Sequence, residues 1–236
     1  MKAVILAGGK GTRLRPYTSV LPKPLMPIGD LPILEIILRR LERAGVTEVV
    51  IAIGYLGALI QTYLSQSPIA RRLSIRYHLE DAPLGTAGAI GTIEGLGDEP
   101  FFVMNGDILS TIDFGAMMAH HRSIDAALTV GVVSTNVQIQ LGVLTLDGAD
   151  RITGYDEKPT KSYAASMGIY VYGPAAKARI APGAYLDAPS LVLQLIEAGE
   201  TVSGFTDPCE WIDIGNVGEY ERAQGEFESD PEKFLR

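Results

Sequence analysis

The run Ala3-Val4-Ile5-Leu6-Ala7 is apolar at every position and stops at Gly8-Gly9. A strand with one face in water alternates apolar and polar residues, so an unbroken apolar run implies burial on both faces. Two-faced burial belongs to sheets covered by helices on each side. The next hundred residues have the pattern such a sheet requires. Residues 33–41 carry Ile33, Ile36, Ile37, Arg40 and Leu41 at helical spacing, with Asp30 and Pro32 as start signals and Gly45 as a stop. Residues 48–53 form the next β-rich run, 57–64 a helix, 73–77 a strand, 86–93 a helix and 100–104 a fourth strand. Strands alternating with helices predict a doubly wound α/β sheet.

The second half is richer in β patterns. Residues 126–133, 142–146, 151–156 and 166–172 read as strands, and 191–198 and 217–224 as helices. Residues 108–125 mark the change between halves without the composition of a linker. The polar stretch 226–236 is expected to fray.

Gly8-Gly9-Lys10-Gly11-Thr12-Arg13-Leu14-Arg15-Pro16 directly follows the first strand, and Pro22-Lys23-Pro24 comes shortly after. Glycines let backbone N–H groups turn around an anion because no Cβ blocks the approach. Lys10, Arg13, Arg15 and Lys23 add charge-assisted bonds to phosphate oxygens. The prolines restrict the loop and fix the backbone around Lys23. Doubly wound sheets bind ligands beyond the C-terminal ends of their strands. This loop and Asn105-Gly106-Asp107 both fall at such ends. The spacing is not that of a dinucleotide fingerprint, since Leu14 stands three residues after Gly11. It is not a P-loop either, since Gly11-Thr12-Arg13 stands where Gly-Lys-Ser/Thr is required. The cluster points to a triphosphate site; a surface turn with scattered cations is the competing reading of the loop taken alone.

The formal net charge of −8 argues against broad nucleic-acid or anionic-membrane binding and leaves room for a small anionic ligand held by local cations. A single cysteine, Cys209, excludes an internal disulfide framework and reads as a packed thiol. The first apolar run is too short for a signal sequence or a membrane span, so a soluble cytoplasmic protein is expected. His78, His120 and His121 lack metal-ligand spacing and read as structural, and Met117-Met118 as core.

The loop and the segments beyond it resemble the sugar-1-phosphate nucleotidyltransferases, the pyrophosphorylases that make nucleotide sugars. Residues 7–16 with Pro22-Lys23-Pro24-Leu25 resemble that family's signature, and Pro83-Leu84-Gly85-Thr86-Ala87-Gly88 its base-binding turn. Asn105-Gly106-Asp107 resembles its first metal site and Glu157-Lys158-Pro159 its sugar-phosphate motif. Ser166-Met167-Gly168-Ile169-Tyr170 and Trp211-Ile212-Asp213-Ile214-Gly215 resemble its last two motifs, all in the family order. The resemblance is closest to the mannose- and heptose-1-phosphate guanylyltransferases. It implies a single Rossmann-like domain with a mixed sheet and no C-terminal β-helix, divided into a nucleotide-binding half (1–110) and a sugar-binding half (111–236).

It further implies that an NTP and a sugar 1-phosphate give an NDP-sugar and pyrophosphate, with Mg²⁺ as cofactor. Leu6, Ala7, Gly8, Gly9, Gly11 and Thr12 would border the nucleoside and cradle its phosphates, joined by Glu80, Pro83, Gly85 and Thr86 around the base. Arg13 would hold the leaving pyrophosphate and Lys23 the α-phosphate. Asp107 and Asp213 would bind the metal. Lys158 would grip the sugar phosphate, with Glu157, Gly142, Ser166 and Gly168 around the sugar. No general base is required, since a phosphate monoester is already ionised near neutral pH.

Glu80 favours GTP: an ionised carboxylate only accepts hydrogen bonds, and guanine presents adjacent N1–H and N2–H₂ donors. Ser166 points elsewhere, because the manno-type enzymes carry Asn there and the motif resembles that of glucose-1-phosphate adenylyltransferases. A glucose-1-phosphate thymidylyl-, uridylyl- or adenylyltransferase is thus the alternative pairing. A non-catalytic nucleotide-sugar-binding regulatory subunit is the alternative from another class, opposed by the presence of Arg13, Lys23, Asp107, Lys158 and Asp213 together. A homo-oligomer is compatible with the sequence.

Overall fold

The computed structural model describes residues 1–80 and 82–235. The chain begins with β1 (Lys2–Ala7), three 3-10 turns, a small hairpin of β2 (Pro27–Ile28) and β3 (Leu31–Pro32), and helix α1 (Ile33–Arg43). It continues through β4 (Glu48–Ile53), α2 (Gly57–Gln66), β5 (Ser74–Leu79), α3 (Gly85–Gly91), β6 (Phe101–Asn105), β7 (Ile108–Ser110) and α4 (Phe114–Ser123). The second half runs β8 (Leu128–Gln138), β9 (Gly142–Leu146), β10 (Ile152–Glu157), β11 (Thr160–Tyr172), α5 (Pro174–Ala178) and α6 (Ala188–Glu197). It ends with β12 (Val202–Thr206), β13 (Trp211–Asp213), α7 (Val217–Ser229) and α8 (Pro231–Leu235).

Seven strands form one sheet in the order β12-β8-β11-β6-β1-β4-β5. β11 runs antiparallel to both β6 and β8, while the other neighbouring pairs are parallel, so the sheet is mixed. Successive residues of the central strands feed two different cores. Ala3, Ile5 and Ala7 of β1, Val49, Ile51 and Ile53 of β4, and Phe102 and Met104 of β6 pack with α1 on one face. Val4, Val50, Phe101 and Val103 pack on the other face with Ile90 of α3 and Leu191 and Leu195 of α6. This division explains the unbroken apolar runs. Each fully buried aliphatic or aromatic side chain contributes about 1.5–3 kcal/mol. Among the described residues there is no β-helix, and no helix is long and apolar enough to cross a membrane.

Three expectations are corrected. Asp30 does not cap α1; Pro32 precedes the helix in extended conformation, and the first free N–H, of Ile33, donates to the Met26 carbonyl at 3.1 Å. The last strand before α5 starts at Thr160 rather than Ser166. The tail does not fray over residues 226–235: α7 extends to Ser229, α8 follows, and Phe227 and Phe234 are buried in the core. Arg236 lies outside the described residues. The three histidines each have a hydroxyl partner, His78 with Thr92, His120 with Ser203 and His121 with Thr129.

One buried charge ties α1 to α2. The Glu35 carboxylate, 2% exposed, accepts from Arg39 Nε at 3.1 Å and Nη2 at 2.5 Å, from Ser67 Oγ at 2.9 Å and from the Tyr63 hydroxyl. Burial by itself pushes this carboxyl up, but the donors together outweigh it and hold the group below its ordinary value. A depressed carboxyl stabilises the fold above its unfolded pKa and loses that contribution as pH falls through the folded value. Glu35→Gln is expected to cost about 2–3 kcal/mol at neutral pH, allowing for the partial exposure of Arg39. Urea unfolding at successive pH values should show the gap to the wild type narrowing toward acid; a constant gap would remove the charge from the account.

Candidate active site

A cleft of about 820 Å³ lies at the C-terminal ends of β1, β4, β5 and β6. That is the size of small-molecule sites and the place where doubly wound sheets bind ligands. The end of β1 and the turn beyond it contribute Leu6, Ala7, Gly8, Gly9, Lys10, Gly11, Thr12 and Arg13. Lys23 and Pro24 come from the third 3-10 turn, and Gly54 and Tyr55 from the end of β4. Glu80, Ala82 and Pro83 follow β5, Gly85 and Thr86 open α3, and Asn105, Gly106 and Asp107 end β6.

The strand ends are in close contact. A Cβ on Gly8 would lie 2.9 Å from Glu80 Oε1, and one on Gly54 would lie 2.9 Å from the Gly8 carbonyl oxygen. Gly11 has φ +59°, which glycine adopts without strain, and its carbonyl accepts from Thr18 Oγ1 at 2.7 Å and Leu14 N at 3.0 Å. Leu14 is fully buried and anchors the turn that exposes Arg13. The start of α3 is pinned from the second half: Ala87 and Gly88 donate to the Leu186 carbonyl, and the Thr86 hydroxyl accepts from Ala188 N at 2.8 Å.

Asp107 and Asp213 are over one hundred residues apart in sequence and meet through β7 and β13. These strands pair antiparallel with Ile108 opposite Asp213, and Ile214 N donates to the Asp107 carbonyl at 3.1 Å. Lys23, 8% exposed, donates to Asp107 Oδ2 and lies 4.0 Å from Asp213 Oδ1. Asp107 Oδ1 is buried and has no hydrogen-bond partner among the described residues. Burial pushes the Asp213 carboxyl up, as does the neighbouring Asp107, while Lys23 and Arg13 oppose the rise. Arg13 reaches the same place, since a Cβ on Gly215 would lie 3.3 Å from its Nη1. Burial also pushes up the Glu80 carboxyl, which lies beside Gly8. Burial likewise raises the Cys209 thiol, consistent with packing rather than reactivity.

Gly142, Glu157, Lys158, Ser166, Gly168 and Asp213 are not among the cleft-lining residues. Gly142 and Glu157 face each other in the exposed β9–β10 hairpin. Lys158 follows with φ +47°, a conformation that costs a non-glycine residue of order 1–3 kcal/mol and tends to mark functional sites. Ser166 and Gly168 sit at a register shift in β11, where Ser166 Oγ accepts from Gly168 N at 3.2 Å and donates to the Tyr170 hydroxyl at 3.1 Å. Gly168 abuts the Asn105 amide, and Trp211 Nε1 donates to the Met167 carbonyl at 2.9 Å. Ser166 and Gly168 therefore adjoin the end of β6, next to the paired carboxylates. Among the described residues no group of three or more His, Cys, Asp or Glu gathers at a metal-binding spacing.

Gly54 and Tyr55 were not anticipated from sequence. The Tyr55 hydroxyl donates to the Ser19 carbonyl at 3.2 Å and so joins the β4 end to the loop carrying the cations. Their position just after an interior parallel strand was the available signal.

A glycine turn, two converging cations and paired carboxylates at the C-terminal edge of a doubly wound sheet define a phosphate-binding α/β class. The chain belongs to the nucleotidyl transferase family, whose model matches residues 2–230. Mannose-1-phosphate guanylyltransferase of Mycobacterium tuberculosis is 33% identical over 232 residues, covering 95% of this chain and 64% of that protein. The probable mannose-1-phosphate guanylyltransferase 1 of Oryza sativa subsp. japonica is 34% identical over 231 residues, 93% of this chain and 63% of its own length. UTP–glucose-1-phosphate uridylyltransferase of Synechocystis is 30% identical over 241 residues, 94% of this chain and 62% of that protein. The chain thus spans a little under two thirds of these relatives. Among solved structures, a putative glucose-1-phosphate thymidylyltransferase from Bacillus anthracis superposes with TM-score 0.76 at 25% identity, covering 96% of this chain and 94% of that one. HddC from Yersinia pseudotuberculosis complexed with GMP-PN shares the fold with TM-score 0.74 at 24% identity, covering 96% and 99%.

Proposed function

We propose that the protein transfers a nucleotidyl group from an NTP to a sugar 1-phosphate, releasing pyrophosphate. The observation that carries this reading is the convergence of Arg13, Lys23 and Asp107 at one end of a nucleotide-sized cleft, with Asp213 beside them. Attack of one phosphate on another is opposed by charge repulsion, so fixed cations and exact placement supply most of the acceleration. In this reading Arg13 holds the β and γ phosphates, Lys23 the α-phosphate, and Lys158 the phosphate of the sugar. The backbone of residues 8–12 cradles the triphosphate. Glu157, Gly142 and Gly168 face the sugar.

The donor set fits Mg²⁺. This hard ion takes one or two protein carboxylates and fills its shell with water and substrate phosphate, and Asp107 offers a buried, unpartnered oxygen beside Asp213. When bound, it would neutralise phosphate charge at the reacting centre.

GTP with a mannose- or heptose-type 1-phosphate is the favoured pairing. Glu80 borders the cleft where β5 ends, and the names of the mycobacterial and rice relatives support the same choice. A panel of NTPs with mannose, heptose and glucose 1-phosphates, scored by pyrophosphate release, tests it. GTP should lead in the wild type. Glu80→Gln, which supplies one donor and one acceptor, should lose that lead and gain relative turnover with UTP or dTTP, whose bases present that pattern. As pH falls toward the raised Glu80 value, the KM for GTP should climb in the wild type and stay flat in the variant. Ser166 favours the second reading, a glucose 1-phosphate enzyme, which wins if glucose 1-phosphate outruns the manno-configured substrates.

A further inference from the structure

The β9–β10 hairpin holds a side chain that neither the motifs nor the comparisons mark. Gly142 pairs with Glu157 across the hairpin and Leu144 with Tyr155, so all four side chains or their positions share one face. Tyr155 leans along that face toward the hairpin's end. Its hydroxyl donates to Glu157 Oε2 at 3.0 Å. The Tyr155 hydroxyl oxygen occupies the space where a Cβ on Gly142 would sit, so only glycine leaves room for it. Tyr155 is 64% exposed, far from the burial of a core tyrosine. Packing therefore does not explain its placement, and an exposed phenol tied to an exposed carboxylate is a surface prepared for a polar ligand.

We propose that Tyr155 is a positioning and specificity residue for the sugar. The inference rests on the reading of Glu157 as a sugar-hydroxyl acceptor. Alone on a flexible stem, Glu157 would sample many rotamers. With Oε2 occupied by the Tyr155 hydroxyl, the carboxylate is fixed and Oε1 remains to accept from a sugar hydroxyl. The phenol oxygen keeps its own lone pairs as a second acceptor, directly above the Gly142 backbone. Gly142, Tyr155 and Glu157 thus act as one unit, in which the glycine's role is to make space for the phenol. The ligand is a neutral polyol ring bearing adjacent hydroxyls.

Steady-state kinetics of the full chain with GTP and mannose 1-phosphate test this. Tyr155→Phe keeps the ring and removes the hydroxyl; the KM for mannose 1-phosphate should rise roughly 5–10-fold, the size of one ordinary net hydrogen bond at an exposed site, with the KM for GTP unchanged. Gly142→Ala should produce the same split, because its Cβ meets the mobile end of a side chain and pushes it off Glu157 rather than disrupting the strand. In a Tyr155→Ala background, Gly142→Ala should then add nothing, the signature of two residues acting through one contact. Unchanged sugar KM in Tyr155→Phe, equal rises in both KM values, or additive effects of the two substitutions would each overturn the assignment while leaving the nucleotidyl reading intact. A wild type that releases no pyrophosphate with any pair overturns both.

Discussion

Arg13→Ala is expected to lower kcat/KM for the NTP by about 10²–10³, the scale of losing one preorganised electrostatic donor. Arg13 stands on an exposed 3-10 turn between a left-handed Gly11 and a fully buried Leu14, so the turn is rigid while the guanidinium is free to face a ligand. It points to Gly215 and contributes to the field at Asp213, where a pyrophosphate leaving group would need neutralisation. Arg13 contributes little to the core, and a surface substitution of this kind changes stability by within about 0.5 kcal/mol. Activity and urea midpoint should therefore separate: a large loss of turnover with an unchanged unfolding curve. Arg13→Lys should recover only a small part, since a point charge cannot reproduce the planar two-bond grip on phosphate. Near-normal turnover in Arg13→Ala would refute its role.

The parts of the fold legible in sequence were those whose side chains are buried. β1 and β4 are continuous apolar runs because alternate residues enter two cores, and the run predicted at 48–53 is the strand observed. What the sequence hid are elements without that signal. The first half of β11, Thr160 to Ser166, pairs with β8 without buried apolar side chains, and its Lys161, Ser162 and Tyr163 are exposed. β12 is short and interrupted by Gly204, so its pairing to β8 depends on the tertiary fold. Phe227 and Phe234 were masked by the charged residues around them, though they are the residues that fix the C-terminal helices.

The site divides in the same way. Every residue anticipated at the nucleotide lies along one cleft because the strand ends of a parallel sheet gather in space whatever lies between them in sequence. Tyr55 was missed because nothing in Ile53-Gly54-Tyr55-Leu56 carries charge or a glycine pattern. The register that puts Tyr155 on Glu157 and over Gly142 was equally invisible, since it depends on a shift between Ile152 and Gly154. Ser166, read from sequence as a sugar contact, already has two internal partners in Gly168 and Tyr170. Its one donor is committed to Tyr170, so toward a ligand it can accept a further hydrogen bond but donate only by trading the Tyr170 bond.

Asp107→Asn is expected to lower kcat/KM by about 10³, with a different signature from Arg13→Ala. The amide keeps the shape of the carboxylate and removes its charge. Two consequences follow from the surrounding groups. The proposed Mg²⁺ site would fall from two carboxylates to one, and the half-exposed Asp213 alone would bind a divalent ion poorly. Lys23, largely buried, loses its nearest counter-charge and keeps only Asp213 at 4.0 Å, so the fold itself loses about 1–3 kcal/mol, the cost of an under-compensated buried cation. Activity and stability should therefore fall together here, where in Arg13→Ala they separate. Calorimetric titration of Mg²⁺ with GTP should show the metal dependence weakened in Asp107→Asn, and thermal unfolding should show the stabilisation by Mg²⁺ and GTP reduced. Asp213→Asn should be milder in stability, because Lys23 keeps its direct bond to Asp107, yet comparable in metal dependence. If Asp107→Asn retains turnover within a few-fold at the same Mg²⁺ concentration, the paired carboxylates are a structural clamp for Lys23 and not a metal site.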